Sequence, residues 1–283
     1  EVLRKKTSIS IFEDEIYFGF SSIFDLSVHF LYFLSVIKSN KTLVHAAGFK
    51  FNGKNVLVPA FGGIGKTFLV SKLSQECSTA IYGDDLILLD DENYVYPYHR
   101  PMCIYKYHYD NYLRVRLARN YFYLRPSLPW RIALRLRIEM LDRFGIQIGN
   151  FDDYCAHSAG YVTTAVGDIL DDTQIPKSGD LLDVIIVIKR TSDAKIKTRE
   201  INCVKERRQL AKYIAAISHH EWSDYHRMCV AYQAFTNNSV ADHFSTSELL
   251  INKAFNDTEK VFLLTLPTEA KDAEIEHSVK KLL

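Results

Sequence analysis

An α/β fold built on a mixed β-sheet is predicted by three stretches of this chain. Val56 to Val58 feeds Pro59-Ala60-Phe61-Gly62-Gly63-Ile64-Gly65 and then the helical pattern Lys66 to Leu73, so strand, glycine-rich turn and helix follow one another. Asn52-Gly53 lies between that strand and another apolar run, Thr42 to Phe51, and Asn-Gly is the strongest short signal for an antiparallel hairpin. Leu181 to Lys189, Leu-Leu-Asp-Val-Ile-Ile-Val-Ile-Lys, is the near-continuous apolar run of a strand buried on both faces.

Composition sets outer bounds. A chain of 283 residues can bury a sizeable core, and 47% hydrophobic with 24% charged residues is ordinary for a globular protein. We expect a single domain over 1–283, with 106–180 as an inserted helical subdomain. A net charge of +1 gives no global pull towards nucleic acid or lipid, so any electrostatic message is local. The five cysteines, Cys77, Cys103, Cys155, Cys203 and Cys229, are odd in number and form no Cys-x-x-Cys pair. That argues against a disulfide framework or structural zinc site and for a reducing, cytoplasmic setting. The sequence begins at Glu1 rather than Met, so residues can precede it, and nothing in it resembles a cleavable signal.

Taken in order, Ser8–Ile11 and Ile16–Phe20 bracket the acidic turn Glu13-Asp14-Glu15 and read as a hairpin. Leu26 to Ile37 reads as a buried helix; its uninterrupted apolar part falls short of the about 20 residues a membrane span needs. The Thr42–Phe51 strand carries His45, beside the strand that enters the glycine turn. After the helix, Ala80-Ile81-Tyr82-Gly83 leads into Asp84-Asp85 and a further strand, Leu86 to Leu89. The turn Asp90-Asp91-Glu92-Asn93 then gives a return strand from Tyr94 to Pro101. Pro126 to Pro129 sets up a helix from Trp130 to Phe144, stopped by Gly145. Glu206–Ile217 and His220–Phe235 read as helices with His219-His220 between them, and Val261–Pro267 is a strand followed by a helix to Leu283.

The glycine turn carries the chemistry. Amides exposed by Gly62, Gly63 and Gly65, together with a helix N-terminus, can cradle phosphate oxygens. Lys66 can reach the outer phosphates and the Thr67 hydroxyl can ligate Mg²⁺. The pattern G-x-x-x-x-G-K-[ST] asks for glycine at position 60, where this chain has Ala60. The nucleotide-binding set is Phe61, Gly62, Gly63, Ile64, Gly65, Lys66, Thr67 and Phe68. Asp84 and Asp85 end an apolar strand shortly after the loop, as metal-holding carboxylates do in nucleotide enzymes. Side chains alternate along a strand, so both can face one cleft only if the strand ends there, which Gly83 permits.

With these residues in view, the order resembles that of the HPr kinase/phosphorylase family and its relatives, which share a fold with phosphoenolpyruvate carboxykinases. His45 lies 21 residues before Lys66 and Asp84 lies 18 after it, between positions 66 and 84. Gly62 to Thr67 and Gly83-Asp84-Asp85 are similar to the carboxykinase loop and its following Gly-Asp-Asp. Leu43 to Ala47, Tyr96 to Pro101 and the C-terminal strand and helix add to the likeness, which is firm from Thr42 to Pro101. The resemblance implies a mixed sheet around a phosphate loop, with helices packed on it. It also implies ATP or another nucleoside triphosphate with Mg²⁺, and phosphoryl transfer to the hydroxyl, most readily a serine, of a peptide, protein or small molecule. Asp84, Asp85, His45 and Lys66 are then the catalytic set, with Asp84 the base and Asp85 joining Thr67 on the metal. The segment by which true HPr kinases recognise their carrier protein has no clear counterpart here.

Two readings from other classes stand beside this one. A non-catalytic nucleotide-binding module needs the loop but no acceptor-side base. The basic run Lys106 to Arg143 suggests nucleic acid, although tyrosines equally abundant elsewhere in the chain weaken that reading. Arg137 falls among the apolar residues of its helical wheel and should reach a carboxylate, a phosphate or a second copy of the chain. Arg100 and Arg137 are the candidate phosphate or substrate contacts. Asp152-Asp153, Asp168 and Asp171-Asp172 read as turn acids rather than a second metal site.

Overall fold

The computed structural model describes residues 8–12, 15–19, 36, 39–74, 79–98, 102–105, 161–164, 170, 172–193, 195–223 and 243–283. The expected helices at Leu26–Ile37 (except Val36) and Trp130–Phe144, most of His220–Phe235, both Arg100 and Arg137, and the bulk of 106–180 lie outside them. Among the described residues no helix is long and apolar enough to cross a membrane.

Strands β1 (Ser8–Phe12) and β2 (Glu15–Gly19) pair antiparallel, with Phe12 opposite Glu15, as the early hairpin requires. The remaining order is β3 (Lys41–Phe51), β4 (Lys54–Pro59), helix α1 (Lys66–Leu73), β5 (Ala80–Gly83), β6 (Leu86–Asp90) and β7 (Tyr94–Tyr96). β8 (Met102–Tyr105) and β9 (Tyr161–Thr164) pair with each other, so the chain leaves at Tyr105 and returns at Tyr161 through one two-stranded ladder. Then come β10 (Asp180–Leu181), β11 (Val184–Thr191), β12 (Lys197–Glu200), α2 (Val204–Glu221), α3 (His243–Asp257), β13 (Lys260–Pro267) and α4 (Asp272–Leu282).

Nine strands form one mixed sheet in the order β10-β7-β6-β3-β4-β11-β13-β12, with β5 paired to β3 beside β6. Its centre, β4-β11-β13, is parallel; every other described pairing in it is antiparallel. The sheet is therefore α/β and mixed, as expected. The β3–β4 hairpin closes through Asn52 and Gly53 at φ 50° and 77°, the paired left-handed conformations of a two-residue turn. One expectation needs revision: Leu181 to Lys189 is two strands. The Asp183 carboxylate accepts from the Asn55 amide at 2.7 Å, and this grip turns the chain, so Asp180–Leu181 joins β7 while Val184 onward enters the parallel centre.

Alternation then builds two cores. Val56, Val58, Val184, Ile186 and Ile188 face Leu69, Leu73, Ile275 and Val279 of α1 and α4. Leu57, Ile185 and Val187 face Ala211, Ile214, Ile251 and Phe255 of α2 and α3. The result is a three-layer sandwich, the arrangement that makes the central strands apolar on both sides. A buried arginine ties the second helical layer together. Arg207 of α2 donates to the carbonyls of Phe255, Asn256, Thr258 and Glu259 at the end of α3, and to Ile201 at 2.8 Å. These carbonyls lie at and just beyond the negative end of the α3 dipole, where a guanidinium suits them.

Candidate functional site

The site lies at the C-terminal end of β4, on the parallel part of the sheet, where open α/β sheets bind ligands. Phe61, Gly62 and Gly63 are exposed, whereas Ile64 is buried and pins the loop to the core. Gly63 and Gly65 stand at φ 74° and 103°, conformations closed to most side chains, and Gly65 is the N-cap of α1. The first intrahelical bond runs from the Leu69 amide to the Gly65 carbonyl at 2.9 Å, which leaves the amides of the first turn pointing off the helix end. A methyl built at Gly62 or Gly63 would meet no atom within 4 Å, so the outer face of the loop is open.

Ala60 is explained by its surroundings. It has no positive φ and it is fully buried in the core beneath the loop, so its methyl packs against apolar neighbours and does not distort the turn.

Lys66 turns back over the loop. Its Nζ donates to the carbonyl of Ala60 at 2.7 Å and of Phe61 at 3.0 Å, and it lies 2.8 Å from His45 Nε2. Three partners match the three protons of an ammonium. Burial pulls the Lys66 amine down to about 8, while the charges of Asp85, Asp84 and Glu221 resist the fall. Thr67, one residue on, hydrogen-bonds Asp84 through its side chain.

Both carboxylates come from a break in the sheet. β5 ends at Gly83 and β6 begins at Leu86, yet both pair with β3, Gly83 opposite Gly48 and Leu86 opposite His45. Asp84-Asp85 is the bend between them, held by a bond from the Ala46 amide to the Asp85 carbonyl at 3.0 Å. The strand has ended where the alternation rule requires it to end. Asp84 is buried, and burial pushes its carboxyl up to about 6, helped by the charge of Asp85 and opposed by the Thr67 hydroxyl and Lys66. Asp85 is 45% exposed and its Oδ1 lies 3.4 Å from His45 Nε2.

His45 is positioned by α2, an element that local sequence reading does not connect to the site. β4 ends opposite Ala46, and beyond that point the β3 edge is completed by side chains. The His45 amide donates to Ser218 Oγ at 2.9 Å, and Trp222 Nε1 donates to the Leu43 carbonyl at 3.3 Å. Glu221 Oε1 lies 3.2 Å from His45 Nδ1. The helix runs through His219 and His220 to Glu221, so these histidines close α2 rather than separate two helices. Phe61 also meets this helix, edge-on to Tyr213 with ring centroids 5.5 Å apart.

Of the sequence-predicted residues, the loop, Lys66, Thr67, Asp84, Asp85 and His45 come together. Phe68 lies further along α1 with Lys72 over its ring. Glu221, Ser218 and Trp222 were missed; a carboxylate in the last helical turn was their only signal. Among the described residues no group of three or more His, Cys, Asp or Glu side chains converges as a metal cage. Any cation here would rest on a carboxylate, the Thr67 hydroxyl and ligand oxygens. The chain matches no model of a known protein family and no curated protein sequence.

Proposed function

We propose that this chain is a nucleoside-triphosphate- and Mg²⁺-dependent phosphotransferase acting on a hydroxyl, on the serine of a peptide or protein or on a small molecule. The observation that supports this is the convergence on Lys66: a phosphate-type loop and Thr67–Asp84 on one side, His45 and Asp85 on the other. A module that only binds nucleotide needs the first half alone.

The donor set fits the group. The open outer face of Gly62-Gly63 suits phosphate oxygens, and the hydroxyl–carboxylate pair Thr67–Asp84 suits a small hard cation. When bound, Mg²⁺ would neutralise phosphate charge. The chain supplies the rest. Loop amides hold the phosphates, and Lys66 gives up a present partner to reach the transferred group. Asp85, half-exposed beside His45, takes the proton of the acceptor hydroxyl as its oxygen bonds to phosphorus and the bond from phosphorus to the bridging oxygen breaks. This reading exchanges the roles expected from sequence, placing Asp84 with the metal because Thr67 already binds it, and Asp85 with the acceptor.

Two variants test the reading with Mg·ATP. Lys66→Ala should abolish nucleotide binding in a calorimetric titration. Asp85→Asn should keep binding within about threefold and lose at least about 100-fold in nucleotide consumption. Unchanged consumption by Asp85→Asn defeats the proposal.

A further inference from the structure

Glu221 is a carboxylate at the wrong end of a helix. It is the last residue of α2, where the carbonyl ends of the helix carry partial negative charge and disfavour an acid. Its side chain is 34% exposed, so it is not there to fill the core. Instead it faces His45 Nδ1 at 3.2 Å. Its neighbours in the same turn, Ser218 and Trp222, bind the β3 backbone on either side of Val44, which fixes where that turn sits relative to the histidine.

The other ring nitrogen settles what the contact does. Nε2 lies 2.8 Å from the Lys66 Nζ, whose remaining two protons are taken by the Ala60 and Phe61 carbonyls. An ammonium donates only, so Nε2 must accept, and a neutral imidazole then carries its proton on Nδ1. The Glu221 carboxylate lies 3.2 Å from that nitrogen, within reach of the proton but not aligned with it as a hydrogen bond in the resting site. We propose that Glu221 is a positioning residue that, with Lys66 on the opposite ring nitrogen, holds His45 as the Nδ1–H tautomer, keeping the Nε2 lone pair aimed at the Lys66 ammonium from the end of α2. Resting on the phosphotransferase reading, it makes α2 part of the active site: the helix orients the histidine, and the histidine orients the lysine that stands between the phosphate loop and Asp85.

The test separates this assignment from the reaction itself. Nitrogen-15 imidazole spectra of the full chain at one fixed pH, with the His45 signal identified by its loss in His45→Gln, should show the Nδ1–H tautomer. Glu221→Gln retains an oxygen that accepts from Nδ1–H and should keep that tautomer, with turnover within about threefold of wild type. Glu221→Ala should shift the signal towards a mixture with the Nε2–H form. It should also lower kcat at least about tenfold with KM for nucleotide changed less than about twofold, as expected when orientation rather than binding is lost. Glu221 is partly exposed, and matching melting curves for the two variants will show that both fold. A wild-type His45 carrying its proton on Nε2, or an unchanged tautomer in Glu221→Ala, overturns the assignment. A wild type without phosphoryl transfer but with the expected spectra sinks the kinase reading and leaves the role of Glu221 in setting the tautomer intact.

Discussion

Replacing Asp84 by Asn should stabilise the protein at neutral pH while removing the proposed phosphoryl transfer. In the fold the Asp84 carboxyl stands at about 6 against an unperturbed 3.8, and that difference corresponds to about 3 kcal/mol. The folded chain holds this proton more tightly than the unfolded chain. The favourable contribution is therefore fully present below 3.8 and is lost as pH rises through 6, so that above 6 the whole cost of the buried charge is carried. Asn keeps the shape and can still accept from Thr67, but it bears no charge. The attraction between Asp84 and Lys66 is already contained in that shift, so the gain at pH 7.5 is about 3 kcal/mol. For a chain of this size that is a rise of about 6–12 °C in melting temperature at pH 7.5. Calorimetric scans at pH 4.5, 6 and 7.5 should show the gap between variant and wild type shrinking to about a third at the lowest pH. A lower melting temperature for the variant at pH 7.5, or a gap that does not change with pH, would refute the reasoning that Asp84 is a charge held against its burial.

Two glycine-related substitutions test how the site is built. Ala60→Gly, which restores the glycine of the phosphate-loop pattern, removes a fully buried methyl and should cost about 1–2 kcal/mol in a denaturant melt while leaving nucleotide affinity within about twofold. Tighter nucleotide binding by that variant would show that the alanine does distort the turn. Gly83→Ala puts a Cβ at 2.9 Å from Ile87 Cδ1 and 3.1 Å from the carbonyl oxygens of Leu86 and Tyr98, two of which are backbone that cannot swing aside. It should destabilise by about 1–3 kcal/mol and lower turnover by displacing Asp84-Asp85, read together by melting and nucleotide consumption.

What the sequence reveals follows the range of the interactions. The loop, its helix and the Asn52-Gly53 hairpin are set by backbone demands within a few residues, and each appears where its pattern lies. The break at Asp84-Asp85 was legible too, because glycine followed by two acids between apolar runs is a poor continuous strand. The division of Leu181–Lys189 was not, since it depends on Asp183 gripping Asn55, 128 residues away. For the same reason Glu221, Ser218 and Trp222 left little trace beyond a carboxylate in a helical turn: they matter because the β3 edge beyond the end of β4 is completed by side chains, and only the three-dimensional arrangement shows which helix end supplies them. His219-His220 misled for the opposite reason, as a conspicuous pair of polar rings that is simply the last turn of α2.

The electrostatics of the site suit the proposed metal–nucleotide pair better than a simple anion. Burial drives Lys66 and Asp84 in opposite senses, each towards its neutral form, within one cluster. A phosphate alone would favour the lysine charge but would add a second negative charge beside Asp84 and Asp85. A divalent cation alone would relieve the carboxylates and oppose Lys66. Bound together, as in a metal–nucleotide complex, each offsets the charge the other cannot. Thr67 suits such a pair, because its hydroxyl binds Asp84 while its own residue belongs to the first turn of α1, directly after the loop. The pairing also makes a demand of the proposed reaction: nucleotide affinity should fall steeply without Mg²⁺ in wild type and much less so in Asp84→Asn, because the carboxylate that repels the bare phosphate has been removed.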